Sequence, residues 1–430
     1  MRENLFRFVD WVKSCNDLSH RAIPAFPHAM MKLRNVTPMS GPTEKPGHAG
    51  LSSIDLERSA RPKRDLLGRS RDDLRAILAE IGEPAYRGSQ LYHALYAERR
   101  LSFAAMSNLP AALRERLGDE FQIGIPEIAQ RFCSSDGSVR YLLNLVDPSA
   151  AEQARRSAAR VEAVFMPSEG RQTICISTQA GCAVDCHFCL TAQLGLVRNL
   201  GAGEILAQVL IALEDHRESL VPRTNVVLMG QGEPLLNYEP VMAALRIMLD
   251  PDGMALARRH VTLSTSGIVP GIKRLAEEKI RPRLAISLNA STDEERDAIM
   301  PINRKYPLEA LIAACKKYPL RPSELLTFEY VLLGGFNDSP DDARRIARLL
   351  RGLRAKVNLI PWNPGELPYR RPTAERIREF RDVLAAKDIP VFVRYSRGQD
   401  VSAACGQLAL REAGPVVSTI ASAPPAAPPG

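Results

Sequence analysis

The chain has 430 residues, 45% apolar and 25% charged, with a formal net charge of +8. This is the composition of a globular protein with a large core, room for one big domain and a smaller one, and a mild lean toward polyanions such as RNA. No apolar run reaches the roughly 18 residues of a membrane span, the first residues (MRENLFRFVDWVKSC) carry acids rather than an apolar signal core, and eight cysteines, three of them clustered, suit a reducing cytoplasm and a metal site better than a disulfide framework.

Residues 1–62 show no sustained periodicity and contain six prolines, so they are expected to be disordered. Met30, Met31 and Met39 are alternative translation starts. Three helices follow within 63–122. RSRDDLRAILAEIG places Leu74, Ile77, Leu78 and Ile81 on one face behind a Ser70 cap, and YRGSQLYHALYAER and LPAALRERLGDEF make the others. This small basic module reads equally as a packing domain or a nucleic-acid clamp. SVRYLLNLVD and RVEAVFMP then form a β-hairpin, separated by a polar Ala-rich insertion at 149–159. Glu162 lies early in the second strand, where the pattern alone reads it as solvated.

From 172 to about 396 strand and helix alternate. QTICISTQ, TNVVLMG, HVTLSTS, RLAISLNA, LTFEYVLLGG and KVNLIPW are strands, each followed by a helical stretch, and VFVRYS offers a short last strand. Six β/α units predict an α/β fold, a partial (β/α)6 barrel spanning 123–411 with the hairpin before it. A disordered Ala/Pro tail completes the chain from 412. Chemistry in such barrels gathers at the carboxyl ends of the strands. The unusual residues lie there: the cysteines after strand one, Gly230, Gly232 and Glu233 after strand two, Ser264 and Ser266, then Ser287 and Asn289, then Asn363.

Cys182, Cys186 and Cys189 form a C-x3-C-x2-C run, with Cys175 seven residues upstream. They are too close in sequence for mutual disulfides. A zinc site needs a fourth ligand, and His187 would reach back awkwardly. A [4Fe–4S] cluster takes four thiolates, so three leave one iron open for another molecule.

This run, placed after a barrel's first strand, resembles the radical S-adenosylmethionine superfamily. Together STQAGCAVDCHFC, RNLGAGEILAQV, NVVLMGQGEPLLN, VTLSTSGIVP, AISLNAS, IMPIN, NLIPWNP and ACGQL resemble the RlmN family of adenosine C2 RNA methyltransferases, and GEPAYRGSQLYHALY resembles that family's accessory domain. The resemblance covers about 63–411 and implies two S-adenosylmethionine molecules per turnover and a [4Fe–4S] cluster on Cys182, Cys186 and Cys189. It places cofactor contacts on Gly232, Glu233, Ser264, Ser287, Leu288, Asn289 and Asn363. It makes Cys405 the methyl carrier, Glu162 the general base, and Cys175 the thiol that resolves a protein–RNA crosslink by a transient disulfide with Cys405. The implied targets are 23S rRNA (position 2503) and tRNA (position 37), with flavodoxin or ferredoxin as electron donor, a monomeric cytoplasmic enzyme and no membrane partner. The related Cfr type acts at carbon 8, and a non-catalytic RNA-binding Fe–S protein is the reading from another class. Asn289 stands where the family usually has His; a neutral amide hydrogen-bonds but does not titrate. Cys15, Cys133 and Cys315 are given no chemical role, and RRIARLLRGLR and KKYPLR are expected to be solvated faces.

Overall fold

A computed structural model describes residues 63–145 and 159–410. The expectations for the N-terminal extension, the Ala-rich insertion and the C-terminal tail lie outside the described residues.

The chain enters through β1 (Arg64–Asp65), which pairs with β2 (Phe121–Gln122) and so closes a three-helix segment. Helix α1 (Arg71–Glu80) begins at a capping box. Ser70 Oγ accepts from the Asp73 amide at 3.1 Å, and the Asp73 carboxylate accepts from the Ser70 amide at 2.9 Å. Leu74, Ile77 and Leu78 are its buried face. Helices α2 (Ala85–Tyr96) and α3 (Ala111–Glu120) each start after a proline, where the missing N–H costs nothing. Tyr92 Oη donates to Asp250 at 2.8 Å and Arg71 pairs with the same carboxylate at 3.2 Å, which ties this segment to the larger body.

Ten strands form one open sheet. Strands β3 (Glu127–Cys133), β4 (Val139–Asn144), β5 (Arg160–Ser168) and β6 (Arg171–Cys175) run antiparallel in sequence order. Then β9 (Thr224–Leu228), β10 (Val261–Thr265), β11 (Arg283–Ser287), β12 (Leu326–Leu332), β13 (Ala355–Pro361) and β14 (Val391–Val393) continue parallel from β6. The helices α4 (Ala202–Asp215), α5 (Tyr238–Leu249), α6 (Val269–Glu277), α7 (Asp293–Ile299), α8 (Leu308–Lys317), α9 (Pro340–Leu349) and α10 (Ala374–Ala385) are the crossovers. Register runs through Cys175↔Val227, Val226↔Val261, Leu263↔Leu284, Ile286↔Phe328 and Tyr330↔Leu359. Val226, Leu228, Leu263, Leu284, Ile286, Phe328, Tyr330 and Leu359 are buried. Strand geometry sends the intervening residues to the opposite, inner face.

The six-unit partial barrel is therefore present, with β14 as a short seventh parallel strand. Two details differ from the sequence reading. The element before the barrel is a three-strand meander, not a hairpin; the added strand β3 has no buried residue, lacks clean alternation and carries a register shift between Ile128 and Gln130, so no pattern marked it. QTICISTQ is also not one strand. It breaks after Cys175 and resumes as β7 (Gln179–Gly181), which pairs with β8 (Leu196–Asn199) beyond the cysteine loop. Gly181 (φ +74°) lies against the Gly195 carbonyl, where a Cβ would stand 1.8 Å from that oxygen. Only glycine closes this hairpin over the cysteines.

Candidate active site

Cys182, Cys186 and Cys189 line one cavity at the carboxyl ends of the strands, together with Gly232, Glu233, Ser264, Ser287, Asn289, Asn363 and Cys405. Burial raises all three cluster thiols, Cys182 to about 11, so their thiolate form calls for a bound cation. Among the described residues no three His, Cys, Asp or Glu side chains converge on a single ion. Three thiols on one cavity are the donor set of a cluster that leaves one iron open. His187 does not line the cavity; its Nδ1 lies 2.8 Å from the Ala298 carbonyl oxygen.

Glu233 is held from three sides. Its Oε2 accepts from the Ser266 amide at 2.6 Å and the Ser266 hydroxyl at 2.8 Å, and its Oε1 accepts from the Leu235 amide at 3.0 Å. Burial nonetheless raises its pKa above the ordinary carboxylate value. A ligand cation would favour the charged form, as an amino group does. Gly232 (φ +95°) packs on Gln179, whose atoms would lie within 2.8 Å of any Cβ, so the GQGEP turn needs glycine here. The Asn363 amide donates to Ser396 Oγ at 2.8 Å and to the Cys405 carbonyl at 3.3 Å, and its Oδ1 is a buried acceptor with no protein donor among the described residues. That free acceptor, the carboxylate and the open serine hydroxyls are a donor–acceptor set suited to an amino-acid-bearing cofactor.

Asn289 adopts a left-handed φ of +59°. Its Oδ1 accepts from the Val331 amide at 2.9 Å, and its backbone carbonyl accepts from Asn337 Nδ2 at 2.7 Å. Asn tolerates this conformation and uses its amide to tie β11 to β12. Leu288 is fully buried and does not line the cavity.

The sequence reading missed Arg296, which is 0% exposed. Its guanidinium donates to the carbonyls of Ser266 (2.6 Å), Leu288 (3.0 Å) and Ser287 (3.1 Å) and to Asn303 Oδ1 (3.0 Å). Burial lowers it to about 10, partly countered by Cys186. A buried cation beside Cys186 suits a site that will hold several thiolates. Its only trace in sequence was its place just before IMPIN.

Cys175 ends β6 in a small apolar cluster with Val164, Ala403 and Leu408. Burial, with the nearby Cys405 second, pushes its thiol far above the ordinary range. Both thiols line a second cavity, the barrel lumen, and Cys405 lines the cavity of the three cysteines as well. Cys405 is exposed to these cavities although protein surrounds it; desolvation, Glu329 and Cys189 raise its thiol to about 11. Glu162 is not in either cavity. It is fully buried, paired with Arg140, and its Oε2 accepts from the Leu410 amide at 3.0 Å and from Gln231 Nε2 at 3.2 Å. Desolvation raises its pKa against the pull of Arg140.

Two family models match the chain, the radical SAM superfamily over residues 176–350 and the ribosomal RNA large subunit methyltransferase N-terminal domain over 64–123. A curated relative from Koribacter versatilis, named a probable dual-specificity RNA methyltransferase RlmN, is 46% identical over 78% of this chain and 99% of its own length. One from an Anaeromyxobacter species, a dual-specificity RNA methyltransferase RlmN, is 47% identical over 82% of this chain and 92% of its own. The crystal structure of a radical SAM methyltransferase from Sphaerobacter thermophilus superposes with a TM-score of 0.76 at 42% identity, covering 81% of this chain and all of that one. With a matching barrel, a cluster-type cysteine triad and relatives alike over most of their length, the chain belongs to the RlmN family of radical SAM methyltransferases.

Proposed function

We propose that this chain methylates carbon 2 of adenosine in 23S rRNA and tRNA. The observation that supports this most is that Cys405 borders both the cofactor cavity and the lumen that holds Cys175. Cys182, Cys186 and Cys189 would hold a [4Fe–4S] cluster. Gly232, Glu233, Ser264, Ser287, Asn289 and Asn363 would hold S-adenosylmethionine, with Leu288 placing its neighbours from behind the wall. When bound, cluster and S-adenosylmethionine, two per turnover, supply the methyl group and the 5′-deoxyadenosyl radical that activates it.

The protein's own groups do the rest. Cys405 carries the methyl as a thioether, and that carbon becomes bonded to carbon 2, linking Sγ to the RNA. Glu162 takes the carbon-2 proton, which requires the segment around Leu410 to withdraw from its carboxylate. The unpaired electron left by the addition would return to the electron-transfer partner; Cys175 then attacks Cys405 Sγ, the S–C bond breaks with its electron pair left on the carbon, that carbon takes a proton to complete the methyl group, a Cys175–Cys405 disulfide forms and the methylated base leaves. A reductant must then reopen the disulfide. A flavodoxin or ferredoxin, a cytoplasmic setting and a monomeric state complete the reading; among the described residues no helix is long and apolar enough to cross a membrane.

Nucleoside mass spectrometry of RNA treated with the anaerobically reconstituted enzyme tests this. 2-Methyladenosine is expected. 8-Methyladenosine alone, or no modified adenine with an intact cluster, would sink it.

A further inference from the structure

One buried ion pair holds both ends of the loop that carries Cys405. Arg140 on β4 and Glu162 on β5 are 1% and 0% exposed and bonded to each other. Leu142 pairs with Glu162 and Arg140 with Val164, so the two charged residues are diagonal neighbours on one face of the meander. Arg140 Nε donates to the Val401 carbonyl at 2.7 Å, and Glu162 Oε2 accepts from the Leu410 amide at 3.0 Å. Val401 and Leu410 bracket the loop, with Cys405 midway between them.

The two ends are not equally secured. At the root, Ser134 Oγ donates to Asp400 at 2.6 Å, the Ser135 amide donates to the same carboxylate at 2.9 Å, and the Gly398 amide donates to Asp136 at 3.0 Å. Charged acceptors make these the stronger kind of bond. Beyond Cys405 the loop rests on neutral bonds, from the Leu190 amide to the Gly406 carbonyl at 2.8 Å and from Thr191 Oγ1 to the Leu408 carbonyl at 2.7 Å, apart from Leu410's own bond to Glu162. The Leu410 end is therefore the one built to let go. Phe132 covers one face of the Arg140 guanidinium, with its ring centroid 3.7 Å from Cζ, so the arginine itself has little freedom to turn.

A buried ion pair is often packing and no more. Here each partner also bonds to the Cys405 loop, and one partner is the group that must take a proton. We propose that Arg140 is a positioning residue for proton removal from carbon 2: it aims the Glu162 carboxylate on one side and tethers the root of the Cys405 loop on the other, so that base and methyl carrier keep one geometry when Leu410 lets go. The proposal rests on the RNA methyltransferase reading above. The groups facing Glu162 are Arg140 from β4, the Ala409 and Leu410 amides from the loop, and Gln231 from the turn after β9; Arg140 is the one charge among them. Departure of the two amides removes donors that favour the charged carboxylate and so strengthens the base as it meets its proton. Arg140 remains, and keeps that carboxylate charged until then.

The test follows 2-methyladenosine formation by reconstituted holoenzyme on 23S rRNA fragments across pH. The wild type is compared with Arg140→Gln, Arg140→Lys, Glu162→Gln and the double variant Arg140→Gln/Glu162→Gln, in which two amides replace the two charges. Glu162→Gln should slow the reaction on the order of a hundredfold and Arg140→Gln on the order of tenfold. Glu162 must be ionised to act, and loss of the neighbouring cation raises its pKa. The acid limb of the rate profile should therefore move to higher pH in Arg140→Gln and return toward its wild-type position in Arg140→Lys. The double variant should be no slower than Glu162→Gln, because Arg140 acts through that carboxylate. Hydrogen exchange of residues 401–410 should quicken in Arg140→Gln while that of the parallel strands does not. A wild-type rate and limb in Arg140→Gln would overturn the proposal and leave the functional reading standing. So would a slower rate with an unmoved limb, or a further full loss when Arg140→Gln is added to Glu162→Gln. Unchanged exchange at 401–410 would remove the tether. A wild type that makes no 2-methyladenosine overturns the functional reading and this proposal with it.

Discussion

Asn289 shows how one residue can serve the backbone and the site at once. Its left-handed φ and its bond to the Val331 amide explain an amide at a cavity wall that also needs a polar group. Asn289→Ala should cost about 2 kcal/mol in denaturant unfolding, from strain plus an orphaned Val331 amide. Asn289→Gly should cost less, since it relieves the strain. At Glu162, removing the charge leaves a fully buried guanidinium without its carboxylate. Glu162→Gln should therefore destabilise by about 3 kcal/mol as well as slow methyl transfer. The two thiols separate by outcome. Cys175→Ala should accumulate a protein–RNA conjugate, visible as a slow band on a denaturing gel. Cys405→Ala should form no such band and no product. Free, normally methylated RNA from Cys175→Ala would remove Cys175 from the mechanism.

Among elements, the cysteine loop and β5 show local pattern giving way to context. The loop is closed by the β7–β8 pair, which no periodicity marks because its strands are three and four residues long. In β5, Phe165 stacks on His216 at the end of α4, with ring centroids 3.7 Å apart. Burial lowers His216 to about 4. The unfolded chain then takes up this proton before the folded one does, so folding stability should fall as pH drops from about 6.5 to about 4. The full loss is on the order of 3 kcal/mol. Urea unfolding of wild type and His216→Gln across that window should show the wild-type slope flattened in the variant.

Over the whole molecule, the helical segment and the barrel are joined through the Asp250 carboxylate, which accepts from Tyr92 Oη and pairs with Arg71. From Asp65 onward the chain is one compact unit. Asp250→Ala should weaken that union. In calorimetry a single unfolding transition should broaden or split, whereas Tyr92→Phe, losing one hydrogen bond, should shift it by the equivalent of about 1 kcal/mol. The same scale carries the electrostatics. The sequence reading took charge runs such as RRIARLLRGLR as solvated faces; within that run the structure pairs Arg345 with Glu295 at 3.1 Å and with Asp342. Of the cations that line the barrel lumen, Arg171, Arg223, Arg259, Arg283 and Lys356 sit singly at or beside five strand starts, far apart in sequence.

The sequence by itself determined the alternation of strand and helix, the three-thiol spacing and the glycines of GQGEP, because periodicity, ligand number and backbone freedom are local properties. It also marked the strand ends where chemistry gathers, since β/α connectivity dictates which loops face one way. Only the tertiary structure decided that Cys405 stands near Cys175 and opens to both cavities, that Leu410 covers Glu162, that Arg296 lies beside Cys186 under the cavity of the three cysteines, and that isolated arginines line one lumen. Each of these depends on strand register and barrel curvature, which bring together residues up to some 250 positions apart. No local pattern encodes such distances.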